Sequence, residues 1–122
     1  MAKILIVDDE QEIVMMLERQ FLASGFQVLK AYDGQEGLNV AKAEKPDLVI
    51  LDEMMPKMDG YKLCALLKSD TRFNKIPVIM FTARAEELDP DIGKEAGINL
   101  YLTKLAEFKD ILENVNRLLK GI

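Results

Sequence analysis

Acidic side chains stand at the ends of two strongly apolar segments of the chain. Asp8 and Asp9 directly follow residues 3–7, and Asp52 ends the segment 47–52. Carboxylates brought close together repel one another unless a cation offsets their charge. Hard oxygen ligands without histidine or cysteine favour Mg²⁺, with Mn²⁺ as an alternative, over zinc. A simpler interpretation is that each aspartate only caps the helix that follows it.

Two further polar groups follow apolar segments in the second half of the chain. Thr82 and Ala83 come directly after residues 77–81, and Lys104 comes just after residues 100–102. The carboxyl ends of parallel strands meet at one edge of a sheet, which is where open α/β sheets bind ligands. The sequence therefore predicts one site that combines carboxylates, a hydroxyl group and an ammonium group.

Short apolar runs alternate with helical periodicity along the chain, and this pattern predicts five strand–helix units. In the first helix, Ile13, Leu17 and Phe21 are the predicted inward positions. Such alternation is typical of an α/β domain with a parallel sheet and helices on both faces. The expected strands lie at residues 3–7, 26–31, 47–52, 77–81 and 100–102. The expected helices lie at 10–24, between the turn at Asp33-Gly34 and Pro46, at 60–69, near 90–96, and at 108–119.

The composition narrows the class of protein. The chain has 122 residues, a formal net charge of −5 and no histidine. The length suits one domain over residues 1–122, and the absence of histidine excludes imidazole bases and zinc ligands. The negative charge argues against direct nucleic-acid binding, and no apolar run approaches the ~18 residues of a membrane-spanning helix. The single cysteine, Cys64, and the lack of a signal-peptide cleavage site indicate a reducing, cytoplasmic compartment.

Four segments together resemble the receiver domains of bacterial two-component response regulators. They are ILIVDDE at residues 4–10, PDLVILDEMMPKMDG at 46–60, PVIMFTAR at 77–84 and GINLYLTK at 97–104. The resemblance covers essentially the whole chain. It implies a flavodoxin-like, doubly wound sheet with strand order 2-1-3-4-5. It also implies a phosphorylation-activated signalling switch, similar to the single-domain chemotaxis regulators, and not a turnover enzyme.

The resemblance assigns a role to each acidic residue. It identifies Asp52 as the phosphoryl acceptor, because a carboxylate nucleophile can form a mixed anhydride with a phosphoryl group. Asp9 resembles the metal-binding acid, aided by Asp8, with Asp52 and the main-chain carbonyl of Met54 as further ligands. Magnesium at this position would neutralise negative charge on the phosphoryl oxygens.

Other residues resemble the parts of a switch. Lys104 looks like the lysine that pairs with the phosphoryl group, and Thr82, beside the small Ala83, looks like the switch hydroxyl. Tyr101 resembles the aromatic residue that turns inward when Thr82 moves. The implied phosphoryl donor is a histidine kinase or a histidine phosphotransfer protein. The implied output partner binds a face formed by the fourth helix, the fifth strand and the C-terminal helix, and the monomer is expected to dimerise there, if at all, on phosphorylation.

Several positions depart from the family pattern. Leu105 replaces a proline that usually follows a cis peptide bond, and a trans bond is expected because cis before a non-proline residue costs about 3–4 kcal/mol. Glu53 follows the acceptor and is expected to point to solvent without affecting the site. Glu53, Met54 and Arg84 occupy positions expected to tune the hydrolysis of the acyl phosphate. Met54 and Arg84 favour a lifetime longer than that of the fastest chemotaxis-type members. Residues 86–97 are predicted to be the most mobile ordered segment.

Three alternatives stay open on the sequence alone. The chain could be a receiver domain from a longer regulator with a DNA-binding or enzymatic effector. It could be a binding module that works without phosphorylation, an interpretation that Leu105 keeps open. It could also be a magnesium-dependent phosphohydrolase with Asp52 as nucleophile, although such enzymes need a second acid where this chain has Met54.

Overall fold

The computed structural model describes residues 1–83 and 95–121. Arg84, most of the predicted fourth helix and most of the segment predicted to be mobile lie outside these residues. Among the described helices, none is long and apolar enough to cross a bilayer. The described elements are β1 (Lys3–Val7), α1 (Gln11–Ala23), β2 (Gln27–Ala31), α2 (Gly34–Glu44), β3 (Leu48–Leu51), α3 (Gly60–Lys68), β4 (Val78–Thr82), β5 (Leu100–Thr103) and α4 (Phe108–Leu119), the C-terminal helix.

The strands form one parallel sheet in the order β2-β1-β3-β4-β5. This confirms the predicted fold class and strand order, and each strand lies within one or two residues of its predicted position. The central strand β3 and its neighbour β4 are buried along their whole length. Continuous apolar runs form such strands because helices cover both faces of a parallel sheet.

Alternate side chains of the strands pack into two cores on opposite faces of the sheet. One core holds Leu5, Val7, Val49 and Leu51 against α2 and α3. The other holds the intervening strand residues against α1 and the C-terminal helix. Because helices shield both faces, the polar ends of the strands are left to face a single exposed edge. We call this edge, where the strands end, the carboxyl edge.

The packing of α1 refines the sequence prediction. Leu17 and Phe21 are buried as predicted, but the third buried position is Val14, while Ile13 is only partly buried. Phe21 makes an edge-to-face contact with Phe108 at a centroid distance of 5.0 Å, which joins α1 to the C-terminal helix. Such aromatic pairs add about 0.5–1.5 kcal/mol beyond their buried area.

The loop between β3 and α3 contains a lysine in an unusual backbone conformation. Lys57 has φ of 71°, a region that glycine enters without a steric cost. Its ammonium lies 3.5 Å from Asp33 Oδ2, and the lysine side chain is largely exposed. The backbone cost therefore outweighs what this ion pair contributes.

Lys57→Gly is expected to be more stable than Lys57→Ala by about 0.5–1 kcal/mol, because only glycine relieves the left-handed conformation. Both variants lose the contact with Asp33, so the comparison isolates the backbone. Urea denaturation of the two variants measures the difference. Equal midpoints would show that the loop adapts to the alanine.

Candidate functional site

The carboxyl edge brings the predicted functional residues together through ladder hydrogen bonds that continue past the strand ends. The backbone N–H of Asp52 donates to the Val7 carbonyl at 2.8 Å, and that of Lys104 donates to the Thr82 carbonyl at 2.9 Å. The backbone N–H of Asp8 donates to the Ala31 carbonyl at 3.1 Å. Register within the sheet therefore fixes the two acids on adjacent strands and places Lys104 two strands away from Asp52, a gap that the lysine side chain spans.

Lys104 is the centre of the charge arrangement. Its Nζ lies 2.7 Å from Glu10 Oε1, 3.0 Å from Asp8 Oδ2 and 3.3 Å from Asp52 Oδ1. The lysine side chain is 11% exposed. A buried ammonium requires such partners, because taking an unpaired charge out of water is costly. Three carboxylates thus share one cation at this edge.

Burial perturbs the titration of this cluster. Burial raises the pKa of Asp8, and burial together with the Asp8 charge raises the pKa of Asp52 to about 7. Burial opposes protonation of Lys104, but its hydrogen bonds to Glu10 and Asp8 outweigh this and raise its pKa. The carboxylates are therefore crowded, and a divalent cation that binds them displaces protons.

The acids that meet in the structure differ in one member from the predicted set. Oxygens of Asp8, Glu10 and Asp52 lie within 4.8 Å of one another, a grouping able to hold a metal ion. Asp9 is exposed and lines the same pocket as Glu10 and Asp52. The assignment of Asp9 as the chief metal ligand stays a prediction. Sequence reasoning missed Glu10, although it directly follows the two aspartates.

The expectation for Glu53 is wrong. This residue is only 6% exposed and does not project freely into solvent. The loop folds back over it: the N–H of Gly60 donates to the Glu53 carbonyl at 2.9 Å. The backbone of Glu53 also hydrogen-bonds to the Asp52 carboxylate. Glu53 is therefore part of the wall of the site.

The remaining predicted positions surround the pocket at the carboxyl edge. Thr82 is buried and Ala83 exposed, and both line the pocket with Lys104. Met54 also lines it and is 69% exposed. Leu105 is 89% exposed and follows a trans peptide bond, as predicted. This confirms that the residue after Lys104 adopts an ordinary backbone geometry.

Tyr101 is the second residue of β5 and is not among the residues that line the pocket at the carboxyl edge. Its ring is half-buried against the core beneath α2 and α3, and its hydroxyl is 3.5 Å from the Tyr61 hydroxyl. Tyr61 lies in the first turn of α3, beyond the loop that carries Glu53 and Met54. A tyrosine so placed can report on that loop, but its switching role stays a prediction.

Comparison with known proteins decides the family. A model of the response regulator receiver domain matches residues 4–116. The chain belongs to this family. The fold is thus that of a receiver domain, a signalling switch of two-component systems and not a classical enzyme.

Relatives of this receiver domain occur alone and within longer regulators. The alkaline phosphatase synthesis transcriptional regulatory protein PhoP of Bacillus subtilis is 41% identical over 118 residues, 97% of this chain but 48% of PhoP. Protein PilH of Pseudomonas aeruginosa is 39% identical over 121 residues, 99% of this chain and 100% of PilH. The chain thus spans about half the length of the first relative and the whole of the second.

A solved relative contains a metal and a phosphoryl mimic. The receiver domain superimposes on response regulator TrrA of Thermotoga maritima, in complex with Mg²⁺ and beryllium fluoride, with a TM-score of 0.87. The two are 27% identical, and the match covers 97% of this chain and 99% of TrrA. The Mg²⁺ and beryllium fluoride are properties of TrrA, and for the present chain they motivate a proposal.

Proposed function

We propose that this receiver domain accepts a phosphoryl group on Asp52 and thereby changes its affinity for an output protein. The observation that carries the proposal is the pairing of Asp52 Oδ1 with Lys104 Nζ at 3.3 Å in a pocket at the carboxyl edge. A carboxylate beside a fixed ammonium can attack phosphorus while the ammonium stabilises the charge of the phosphoryl oxygens.

The donor chemistry follows from the composition of the chain. Because these 122 residues contain no histidine, a phosphohistidine donor lies outside them, and we propose that it is a histidine kinase or a histidine phosphotransfer protein. The Asp52 carboxylate oxygen forms the bond to phosphorus, and the phosphorus–nitrogen bond of the donor breaks. The electron pair of that bond returns to the donor imidazole, and Lys104 donates to a phosphoryl oxygen.

The residues present fit a divalent metal. The donor set is made of oxygen atoms, and three carboxylates face a single ammonium. Asp8, Asp9, Asp52 and the Met54 main-chain carbonyl would hold Mg²⁺, which neutralises charge on a transferring phosphoryl group when bound. Oxygen donors also accept Mn²⁺, so a manganese titration belongs beside the magnesium one.

Phosphorylation of Asp52 is expected to act on Thr82 and Tyr101. The phosphoryl group adds nearly two negative charges and three acceptor oxygens beside the buried Thr82. Thr82 and Lys104 come from neighbouring strands joined by a backbone hydrogen bond of 2.9 Å, so their movements are coupled. The output partner would read the face that includes β5 and the C-terminal helix.

The loss of the phosphoryl group is proposed to be slow. The Met54 side chain lines the pocket and offers no carboxylate or amide to orient a water molecule. Glu53 and Arg84 are the other two positions proposed to tune this hydrolysis, and Arg84 lies outside the described residues.

Weak self-catalysed phosphoryl transfer and hydrolysis are the only reactions proposed for the domain. We take the domain to span residues 1–122 as one unit.

Intact-mass spectrometry tests the proposal. Incubation with Mg²⁺ and acetyl phosphate is expected to add one phosphoryl group to the wild-type protein and none to Asp52→Asn. A chelator should also abolish the adduct, and Glu113→Gln, which removes an exposed acid from the C-terminal helix, should not. If no adduct forms and beryllium fluoride does not bind either, a phosphorylation-independent binding module becomes the better description.

A further inference from the structure

Glu10 holds an unusual position for the residue before a helix. It is the N-cap of α1, yet its side chain makes no capping hydrogen bond. Short polar side chains such as aspartate or serine commonly accept from the first free N–H groups of a helix, and the longer Glu10 side chain does not. The Glu10 carboxylate instead reaches Lys104 at 2.7 Å, across 94 residues of sequence. Its conformation therefore serves the site and not the helix.

The donor capacity of Lys104 is full in this state. An ammonium group has three N–H donors and no acceptor. Three carboxylates, from Asp8, Glu10 and Asp52, lie within 3.3 Å of Nζ. A phosphoryl oxygen that arrives beside Asp52 can accept from Lys104 only after one of these contacts is released.

Exposure distinguishes the contact that is easiest to release. The Glu10 side chain is 59% exposed, whereas the Asp8 side chain is 3% exposed. A carboxylate that returns to water regains its hydration, and a buried one does not. Asp52 is the proposed acceptor and carries the phosphoryl group itself, so it stays at the site. Glu10 is thus the partner that Lys104 exchanges.

We propose that Glu10 is a positioning residue that occupies Lys104 in the resting state and yields it to the incoming phosphoryl group. This inference rests on the proposed function. Glu10 keeps the ammonium paired before phosphorylation, and its negative charge opposes the arrival of an anion. Removal of the carboxylate charge should therefore favour the phosphorylated state or a mimic of it.

The chain offers a matched control for this charge. Glu12 lies in the first turn of α1, two residues after Glu10, and is exposed. It lines a surface groove with Met15 and Met16 and makes none of the Lys104 contacts. Glu12→Gln thus removes the same charge from the same helix end without releasing the lysine.

Calorimetric titration with beryllium fluoride at saturating Mg²⁺ tests the inference. Glu10→Gln is expected to bind the mimic about three- to tenfold more tightly than wild type, and Glu12→Gln to bind it as wild type does. In a Lys104→Met background, the increase in beryllium fluoride affinity caused by Glu10→Gln should shrink to about twofold or less, because the effects of substituting coupled groups are not additive.

A second measurement needs neither metal nor mimic. In metal-free protein, reductive methylation of the Lys104 amine, followed by peptide mass spectrometry, should be at least about twofold faster in Glu10→Gln than in Glu12→Gln. If Glu10→Gln and Glu12→Gln bind beryllium fluoride equally tightly, or if Lys104 is methylated at the same rate in both, the inference about Glu10 is overturned and the proposed function is not. Failure of wild type to bind beryllium fluoride at all would overturn the proposed function together with it.

Discussion

At pH 8 and without divalent metal, Asp52→Asn is expected to be more stable than the wild-type protein, with a free energy of unfolding about 1–3 kcal/mol higher. Asp52 is buried beside Asp8, and both effects raise its pKa to about 7. Asparagine keeps the shape of the side chain and removes the charge. Lys104 keeps its contacts with Asp8 and Glu10, so the substitution leaves no unpaired ammonium.

The sign of the pH dependence follows from linkage. A carboxyl group has a pKa near 3.9 in the unfolded chain, so between about pH 4 and 7 the folded protein binds more protons at Asp52 than the unfolded chain does. The contribution of Asp52 to wild-type stability should therefore fall as the pH rises through this window and level off above it. The advantage of Asp52→Asn should grow over the same window.

Guanidinium denaturation at pH 5 and pH 8 measures this advantage. Glu113→Gln is the control, since it removes one exposed carboxylate from the C-terminal helix. Mg²⁺ is expected to stabilise wild type more than Asp52→Asn, because the variant has lost one candidate ligand. An advantage of the same size at both pH values would contradict the assignment of crowding to Asp52.

Gly60→Ala is expected to cost about 2–3 kcal/mol and to slow phosphorylation of Asp52 by roughly tenfold or more. A Cβ atom on Gly60 would lie 2.2 Å from the Asp52 carbonyl oxygen, which belongs to the backbone. The first turn of α3 or the end of β3 has to shift to make room. Either shift moves the acceptor relative to Lys104.

Gly25→Ala separates this effect from the general cost of replacing a glycine. Gly25 has φ of 92°, and a Cβ there would meet no atom within 4 Å. Its substitution should cost about 1 kcal/mol through backbone conformation alone and leave phosphorylation unchanged. Thermal unfolding and the rate of adduct formation are to be compared in the two variants. A Gly60→Ala protein that matches Gly25→Ala in both would refute the close-contact argument.

Much of the fold and site could be predicted because the sequence pattern is strong. Strands buried on both faces need continuous apolar runs, and the side chains that end those runs must meet at one edge. This reasoning correctly placed Asp8, Asp52 and Lys104 together. The resemblance added the strand order, and the energetic cost of a cis bond before a non-proline residue predicted the trans bond before Leu105; both are confirmed.

Other features depend on tertiary geometry that spacing does not encode. Ile13 and Val14 are adjacent apolar residues, and only the rotation of α1 against the sheet buries the second of them fully. Glu53 is covered because the following loop returns over it. Glu10 is an acid among acids, and no sequence pattern distinguishes the one whose side chain reaches Lys104.

The separation of 94 positions between Glu10 and Lys104 in the sequence also orders events during protein synthesis. Asp8, Glu10 and Asp52 are translated long before Lys104, so a growing chain carries the acids without the ammonium that pairs them. The acidic end of the sheet is therefore electrostatically incomplete until β5 joins β4. Docking of β5 is thus expected to be the step of chain growth that both completes the sheet and makes the acceptor competent.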